Sequence, residues 1–349
     1  MGRLSSIASL ALTIGLGLAI VTPVRADLML TAAGIADGFT LTEFVGGYSF
    51  GGGINYGPLA QGILPNGNVV TGSYGDGKIY VFNDINGQTL SSAVSSTTYA
   101  PPFSGGQWAM TTVGGQAYGA RQSGGVYEQF ANNGSFTPIP NLQADGLFSN
   151  QGMWGDQLNG HIISASNKGL VDIDPVAGTF RVINASLIGN IDGVTLSPDG
   201  STVYVANFGI GEVQAYNFTT GALINTYSVT AGRGPDGTGV ISGGLFNGDL
   251  VVNNNDGTVG LLDPVTNSYT IIANAGTRGD WVSPDTSNGT LFISQLESVD
   301  RLSCGPGCSI GGPPPVPEPS SILLLGSALV ASFASLSRKW RKQRSPRTY

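Results

Sequence analysis

"DGVTLSPDGSTVYVANFGIGEVQAYNFTTGALINTYSV", residues 192–229, is the stretch that decides the fold. Apolar and polar residues alternate in four short runs, which a Pro-Asp-Gly turn, a glycine-rich turn and a Thr-Gly turn separate. Alternation with a period of two is typical of half-buried strands, and such turns reverse the direction of the chain. The stretch therefore predicts one four-stranded antiparallel meander.

The same order of strands recurs along the chain. A turn glycine precedes each second strand, and the spacings between these glycines are 48, 45, 40, 48 and 41 residues. The six glycines are Gly67, Gly115, Gly160, Gly200, Gly248 and Gly289. Such a period is typical of propeller blades, whereas a β-sandwich needs no such period and a right-handed β-helix has a much shorter one. The sequence thus predicts an all-β fold, a six-bladed β-propeller of four-stranded antiparallel blades.

The sixth repeat lacks a fourth strand, because its third strand, "VDRLS" from Val299, runs directly into Cys304. The segment "DGFTLTEFV", residues 37–45, precedes the first full repeat and alternates as a strand does. We expect it to close the last blade from the other end of the chain, since this leaves no open edge at the junction. The propeller domain is then expected to span residues 27–303.

Composition agrees with a sheet-rich domain. Glycine supplies 54 of the 349 residues, and no window between the termini shows a convincing helical period. Disorder is the competing interpretation of a glycine-rich chain with few charges, but an apolar fraction of 41% is enough to build a core. The phrase "SPDGSTVYVAN" in the fourth repeat closely resembles the YVTN and NHL class of propeller repeats.

The first residues have the order of a secretory signal peptide: a basic Arg3, an apolar run over residues 7–21, and a small residue, Ala26, at the expected cleavage site. A membrane anchor is the alternative, but the run is short for a span of about 20 residues and ends at Pro23. We expect residues 1–26 to be removed on export.

The C-terminus carries a second apolar segment. Residues 320–336 are apolar or small, and basic residues follow at once, which predicts a transmembrane helix with its C-terminus in the cytoplasm. A plain stop-transfer helix does not explain the preceding "VPEPS". The motif carries Pro317, Glu318 and Pro319, and the tail carries Arg338, Lys339 and Arg341.

This order closely resembles the PEP-CTERM sorting signal of Gram-negative bacteria. The resemblance covers residues 317–349 and implies processing by a membrane-embedded exosortase near the Pro-Glu-Pro motif. It further implies transient anchoring in the inner membrane, then release to the cell surface or exterior, usually in strains that make extracellular polysaccharide. The membrane is expected as a partner only through the C-terminal helix.

Cys304 and Cys308 are the only cysteines and flank Gly-Pro-Gly. In an oxidising compartment we expect them to form a small disulfide loop, because two thiolates without a nearby histidine make a poor zinc site. With the proline-rich stretch that follows, residues 304–316 are expected to form a loop and extended linker.

The net charge of the domain argues against polyanionic partners. Between residues 27 and 317, seven cations face 21 carboxylates, so the net charge is −14. This balance argues against nucleic acid and anionic membrane surfaces, and it suits a soluble exported protein.

Candidate binding residues lie where first strands begin, since these starts meet at one mouth of the propeller channel. Carboxylates there are Asp192, Asp236 and Asp280, and indoles nearby are Trp108, Trp154 and Trp281. The second-to-third turns on the same face add Asp76, Asn207, Asn254, Asp256 and Glu297. We expect a hard cation such as Ca²⁺, with Asp192 and Asp280 as metal ligands, or sugar rings stacked on the indoles. The alternative is structural, because Asp before Gly commonly forms turns and indoles commonly pack between blades.

Catalytic constellations are scarce. His161 is the only histidine, and the sequence offers it no obvious carboxylate partner. We therefore favour a non-catalytic surface or matrix protein that binds exopolysaccharide or an envelope protein. The alternative is a metal-dependent hydrolase or lactonase, by analogy with six-bladed propellers of the gluconolactonase and regucalcin type, whose spaced Glu, Asn and Asp ligands have no clear match here.

Overall fold

The structure is a computed structural model that describes residues 27–49, 56–101, 106–188, 191–229 and 234–311. Its strands form six antiparallel blades, and the first strand of each blade contacts the first strands of its neighbours around a ring. The predicted all-β six-bladed propeller is confirmed. The signal peptide with Ala26, and the sorting segment with Pro317, Glu318, Pro319, Arg338, Lys339 and Arg341, lie outside the described residues.

The four strands of each blade are given in order from the channel to the outer edge. The first three consist of Pro58–Ile63, Val69–Ser73, Lys78–Phe82 and Ser95–Thr98; Gln107–Val113, Gln116–Arg121, Tyr127–Phe130 and Phe136–Pro138; and Ser149–Asp156, His161–Ser166, Gly169–Asp174 and Thr179–Asn184. The last three consist of Ile191–Leu196, Thr202–Asn207, Glu212–Asn217 and Leu223–Ser228; Pro235–Ser242, Leu250–Asn254, Val259–Asp263 and Ser268–Asn274; and Val282–Asp285, Thr290–Ser294, Ser298–Ser303 and Thr40–Gly46.

Short elements decorate the ring. Met29–Leu30 pairs with the outer strand of blade 5, the helix Ala32–Ala36 follows it, and Gln88–Thr89 runs parallel to Thr40–Gly46. Two 3₁₀ turns occupy Leu90–Ser92 and Ser123–Gly125.

The turns explain why the repeat folds as a meander. In blade 4, Ser197 Oγ and the backbone N–H of Ser201 both donate to Asp199 Oδ1, at 2.6 and 3.0 Å. Gly200 follows with φ of +72°, a conformation that glycine adopts without steric cost. The Pro-Asp-Gly turn therefore fixes the connection between the first two strands.

Blade 6 takes its outer strand from the N-terminal end of the described chain. Thr40–Gly46 pairs antiparallel with Ser298–Ser303. The strand begins three residues after the start of the predicted segment, 37–45. Phe44 is fully buried, its ring centroid 5.0 Å from that of Phe292. The Arg301 guanidinium lies 4.8 and 4.9 Å from these two ring centroids and bonds Asp84, Asn86 and Asp285. Packing and charge together hold the two ends of the propeller chain in one blade.

The C-terminal end of the described chain closes one end of the channel. Cys304 and Cys308 form a disulfide, with Cα atoms 5.7 Å apart, and Ser309–Ile310 then pairs with the end of the first strand of blade 5. Gly311 follows, and a Cβ there would lie 2.2 Å from Pro284 Cβ in blade 6 and 2.9 Å from Trp154 Cη2 in blade 3. Because blades 3 and 6 face each other across the ring, the segment Ser309–Gly311 crosses the channel and plugs this end.

Candidate functional site at the open channel mouth

The end of the channel away from Gly311 contains a cavity of about 180 Å³. We call it the acidic mouth, and its lining residues are Tyr56, Leu59, Trp108, Gln151, Asp192, Phe208, Asp236, Asn255, Arg278, Asp280 and Trp281. It therefore brings together all three predicted aspartates and two of the three predicted tryptophans.

β-Bulges explain how these side chains reach the cavity. The first strands of blades 1 to 5 each carry a register irregularity near their beginning, so one or more residues there are skipped in the pairing. The skipped residues include Leu59, Trp108, Gln151, Asp192 and Asp236, all of which line the mouth. A bulge re-aims the side chain of the unpaired residue, so the same feature, repeated in five blades, places five of the eleven lining residues at the mouth.

Arg278 is the central cation of the acidic mouth. Its Nη2 lies 3.0 Å from Asp280 Oδ1 and 3.8 Å from Asp236 Oδ2, and its Nε donates to Asn255 Oδ1. Asn255 Nδ2 in turn donates to Asp236 Oδ2 at 3.0 Å. The guanidinium also lies over the Tyr56 ring, 4.4 Å from its centroid. Two carboxylates, an amide and an aromatic face thus hold one arginine.

The carboxyl groups of the mouth are harder to ionise than ordinary ones. Burial raises the pKa of Asp192 to about 6 and that of Asp280 to about 7, against the opposing attraction of Arg278. Burial, together with the neighbouring charges of Asp192 and Asp280, raises the pKa of Asp236 well above its usual value. Asp192 and Asp280 therefore gain and lose protons near neutral pH.

One oxygen of the site lacks a partner. Asp280 is only 5% exposed, and among the described residues its Oδ2 accepts no hydrogen bond from an N–H or a hydroxyl. Its neighbour in the mouth is the Asp236 carboxyl, which bonds to it only when one of the two is protonated. A buried carboxylate oxygen without a donor costs free energy, so this position favours a proton or a ligand that donates.

The three predicted tryptophans have different positions. Trp108 is half-buried at the mouth, whereas Trp281 is buried beneath it and donates from Nε1 to the carbonyl of Met110 across the channel, at 3.2 Å. Trp154 does not reach the acidic mouth: it lies against Gly311 at the plugged end. The bulge in its strand places Gln151 at the mouth instead, so Trp154 does not join the other two tryptophans there.

The other polar residues predicted on this face mostly serve their own turns. Asp76 accepts from the backbone N–H of Lys78, and Asp256 accepts from that of Thr258. Asn254 donates to Thr258 and to Tyr269 Oη. Asn207 and Glu297 are likewise not among the lining residues of the cavity.

His161 does have a carboxylate partner, contrary to the expectation from sequence. Its Nδ1 lies 2.9 Å from Asp172 Oδ1, and Arg181 Nε donates to the other oxygen of Asp172 at 2.9 Å. The three residues come from neighbouring strands of blade 3, where His161 and Asp172 are only 11 residues apart in sequence, and they do not line the acidic mouth.

The arrangement differs from the calcium site expected from the sequence. Within the described ranges, no group of three or more His, Cys, Asp or Glu side chains is arranged to hold a metal ion. Arg278 already supplies a positive charge beside Asp236 and Asp280. What the mouth offers chemically is acceptor oxygens, a guanidinium and aromatic walls.

Sequence reasoning missed Arg278, Asn255, Tyr56 and Phe208. Arg278 was visible as one of only seven cations in the domain and stands two residues before Asp280. Asn255 and Phe208 lie in second-to-third turns, next to the residues that the repeat alignment selected. No signal in the sequence marked Tyr56.

Comparisons with known proteins give separate results for the C-terminus and for the propeller fold. Residues 315–339 match the PEP-CTERM protein-sorting motif. No curated protein is significantly similar in sequence to the chain. Within the described residues, no helix is long and apolar enough to cross a membrane.

Solved structures share the propeller at low sequence identity. A gluconolactonase from Xanthomonas campestris is 16% identical with a TM-score of 0.56, over 79% of this chain and 94% of that chain. The calcium-binding protein regucalcin from Agrobacterium tumefaciens is 16% identical with a TM-score of 0.52, over 79% and 98%. A luciferin-regenerating enzyme is 13% identical with a TM-score of 0.56, over 78% and 97%. These similarities establish the fold alone. The chain is a six-bladed β-propeller that carries a PEP-CTERM sorting signal, which implies processing by an exosortase and export to the surface or exterior of the cell.

Proposed function

We propose that the protein is a non-catalytic surface or matrix protein that binds a saccharide unit of an extracellular polysaccharide at the acidic mouth. One observation carries this proposal: the mouth combines the rings of Trp108, Tyr56 and Phe208 with carboxylates and a guanidinium around one cavity. Phe208 is 48% exposed, so part of this aromatic wall is open to solvent. Flat apolar rings beside convergent hydrogen-bonding groups match the alternating faces and hydroxyls of a sugar.

The position at the channel mouth supports binding rather than a structural role. Trp108 lies in a β-bulge and is therefore left out of the strand pairing in blade 2. Asp192 lies in a corresponding bulge in blade 4. The other end of the channel is plugged by Ser309–Gly311, whereas Phe208 at the acidic mouth is exposed. Export to the cell surface would present it to secreted polymers.

A cation-dependent hydrolase is the weaker alternative. It requires a metal among the carboxylates to activate water or polarise a carbonyl, and Arg278 lies in that position. An envelope protein is the other ligand class that the sequence suggested, and the same binding experiment separates it from a saccharide.

The test is a binding titration with the purified full chain, in a detergent whose head group is not a sugar. The probes are a neutral glucan, an acidic polyuronate and a glucosamine polymer with free amino groups. The detergent-solubilised envelope fraction is tested as a separate sample. We expect at least one polysaccharide to bind, and Trp108→Ala to weaken it about tenfold, as loss of one stacked ring does.

Phe218→Ala is the matched control. Phe218 is a half-buried aromatic residue stacked against Arg181 on the opposite face of blade 4. The Phe218→Ala substitution should leave the affinity for the saccharide unchanged. Binding of none of the three polymers, or equal loss in both variants, would contradict the proposed function.

A further inference from the structure

We infer that the acidic mouth selects a saccharide that carries a free amino group, that is, a cationic amino sugar. This inference rests on the proposed saccharide-binding function and specifies its ligand class. It is carried by the charge balance of the cavity, by the unpartnered oxygen of Asp280 and by the aromatic wall.

Among the residues that the structure describes, the carboxyl groups of the mouth outnumber its cations. Three carboxyl groups, Asp192, Asp236 and Asp280, face one guanidinium, that of Arg278. Arg278 pairs with Asp236 and Asp280, but within the described residues no cation lies within ion-pair distance of Asp192. Arg278 attracts Asp192 without forming an ion pair with it, so a second positive charge at the mouth would meet a carboxylate that is not ion-paired within the described ranges.

The hydrogen-bonding groups of the mouth also favour a ligand that donates hydrogen bonds. Asp280 is only 5% exposed and lines the cavity, and among the described residues no N–H or hydroxyl group donates to its Oδ2, whose neighbour is the Asp236 carboxyl. Carboxylates accept and do not donate when ionised, whereas an ammonium group donates three hydrogen bonds and accepts none. A neutral sugar hydroxyl satisfies one such acceptor, but it leaves the excess charge in place.

The aromatic wall suits a cation as well as a sugar face. Arg278 already shows how this site accommodates positive charge, because its guanidinium lies between carboxylates and 4.4 Å from the Tyr56 ring centroid. Trp108 and Phe208 line the same cavity as Asp192 and add further aromatic rings to it. Rings next to carboxylates attract ammonium groups through the ring quadrupole.

The experiment compares two probes that differ in the amino group. These are a β-1,4-linked glucosamine tetramer and its fully N-acetylated counterpart, titrated calorimetrically against the full chain at pH 7. We expect the free amine to bind at least tenfold more tightly, and Asp192→Asn to bring the two affinities within about twofold of each other. An oligolysine peptide of the same charge is the third probe.

Asp199→Asn is the control variant, since Asp199 is an exposed turn residue of blade 4 outside the mouth. The comparison of the two tetramers on the unaltered chain does not depend on any variant folding. Equal or tighter binding of the acetylated tetramer would overturn the inference and leave saccharide binding intact. Oligolysine binding as tight as that of the amino sugar would overturn the saccharide assignment. Binding of neither tetramer, while another polysaccharide binds, would also overturn the inference without touching the proposed function.

Discussion

Arg278 Nη2 lies 3.0 Å from Asp280 Oδ1, so the chain itself places one positive charge among the three aspartates of the channel mouth. The sequence placed these aspartates at one mouth and suggested calcium between them. The structure gives the mouth an arginine, which changes what the site is expected to bind.

The first prediction concerns divalent cations. The melting temperature of the full chain should be the same in EDTA and in millimolar CaCl₂, because Arg278 competes for the carboxylates. Arg278→Ala removes this competitor, and its melting temperature should rise with calcium, since a ligand bound only by the folded state stabilises it. Differential scanning fluorimetry with MgCl₂ as the ionic control measures this. A calcium-dependent rise in the unaltered chain that Asp280→Asn abolishes would instead support the metal-dependent alternative.

The second prediction concerns pH. In the folded chain burial raises the pKa of Asp280 from 3.8 to about 7, so the folded state binds this proton more tightly than the unfolded state. The resulting stability is fully present below about pH 4 and is lost as the pH rises through about 7. Asp280→Asn should therefore flatten the fall in the free energy of unfolding between pH 4 and 8 by roughly 2 to 4 kcal/mol.

Urea titrations across that range measure the effect. Burial also raises the pKa of Asp249 to about 6 and that of Asp300 to about 7, so part of the slope will remain in the variant. Asp199→Asn is the control, because hydrogen bonds from Ser197 and Ser201 lower the pKa of Asp199, and its titration lies below the window. An unchanged slope in Asp280→Asn would show that this carboxyl is ionised throughout.

The third prediction concerns the plugged end of the channel. Gly311 and Gly307 both have positive φ, +71° and +77°, so alanine is strained at either position. Only at Gly311 would the new Cβ overlap Pro284 and Trp154, whereas at Gly307 it meets nothing within 4 Å. We expect Gly311→Ala to lower the free energy of unfolding by about 1 to 3 kcal/mol more than Gly307→Ala. Equal losses in urea unfolding would mean that the plug is not packed as described.

The fourth prediction concerns the closure of blade 6. Arg301 is 9% exposed, packs against the rings of Phe44 and Phe292, and bonds Asp84 and Asp285. Arg301→Lys keeps the charge but loses the planar fork, so the free energy of unfolding should fall by about 2 to 4 kcal/mol.

Arg181→Lys is its control. Arg181 also pairs with an aspartate and stacks on a ring, Phe218, but its side chain is 43% exposed, so the cost should stay below about 1 kcal/mol. Equal effects of the two substitutions would argue that Arg301 does not hold the blade together.

The repeat pattern was enough to predict the six blades, because alternation and turn glycines are local properties of the sequence. Asp192, Asp236 and Asp280 were predictable as neighbours for the same reason: each begins a first strand, and the fold gathers those starts. Trp154 was misplaced because the long bulge in Ser149–Asp156 shifts the register, and a bulge leaves no clear mark in the sequence.

Arg278 and the His161 pair were missed for a different reason. Arg278 meets Asp236 across two blades, and His161 meets Asp172 across a strand pair. The first contact depends on which side chains the finished ring brings together, and the second depends on the register of a hairpin. Local periodicity specifies neither of them. The unpartnered Asp280 Oδ2 is likewise a property of the packed cavity.

The most direct test of the central claim is the location of a bound saccharide, determined from a crystal structure of the protein with the glucosamine tetramer. The account predicts sugar density in the acidic mouth, with a ring against Trp108 and an amino group within hydrogen-bonding distance of Asp192 or Asp280. Density confined to another surface, or a mouth that holds only water at saturating tetramer, would contradict it.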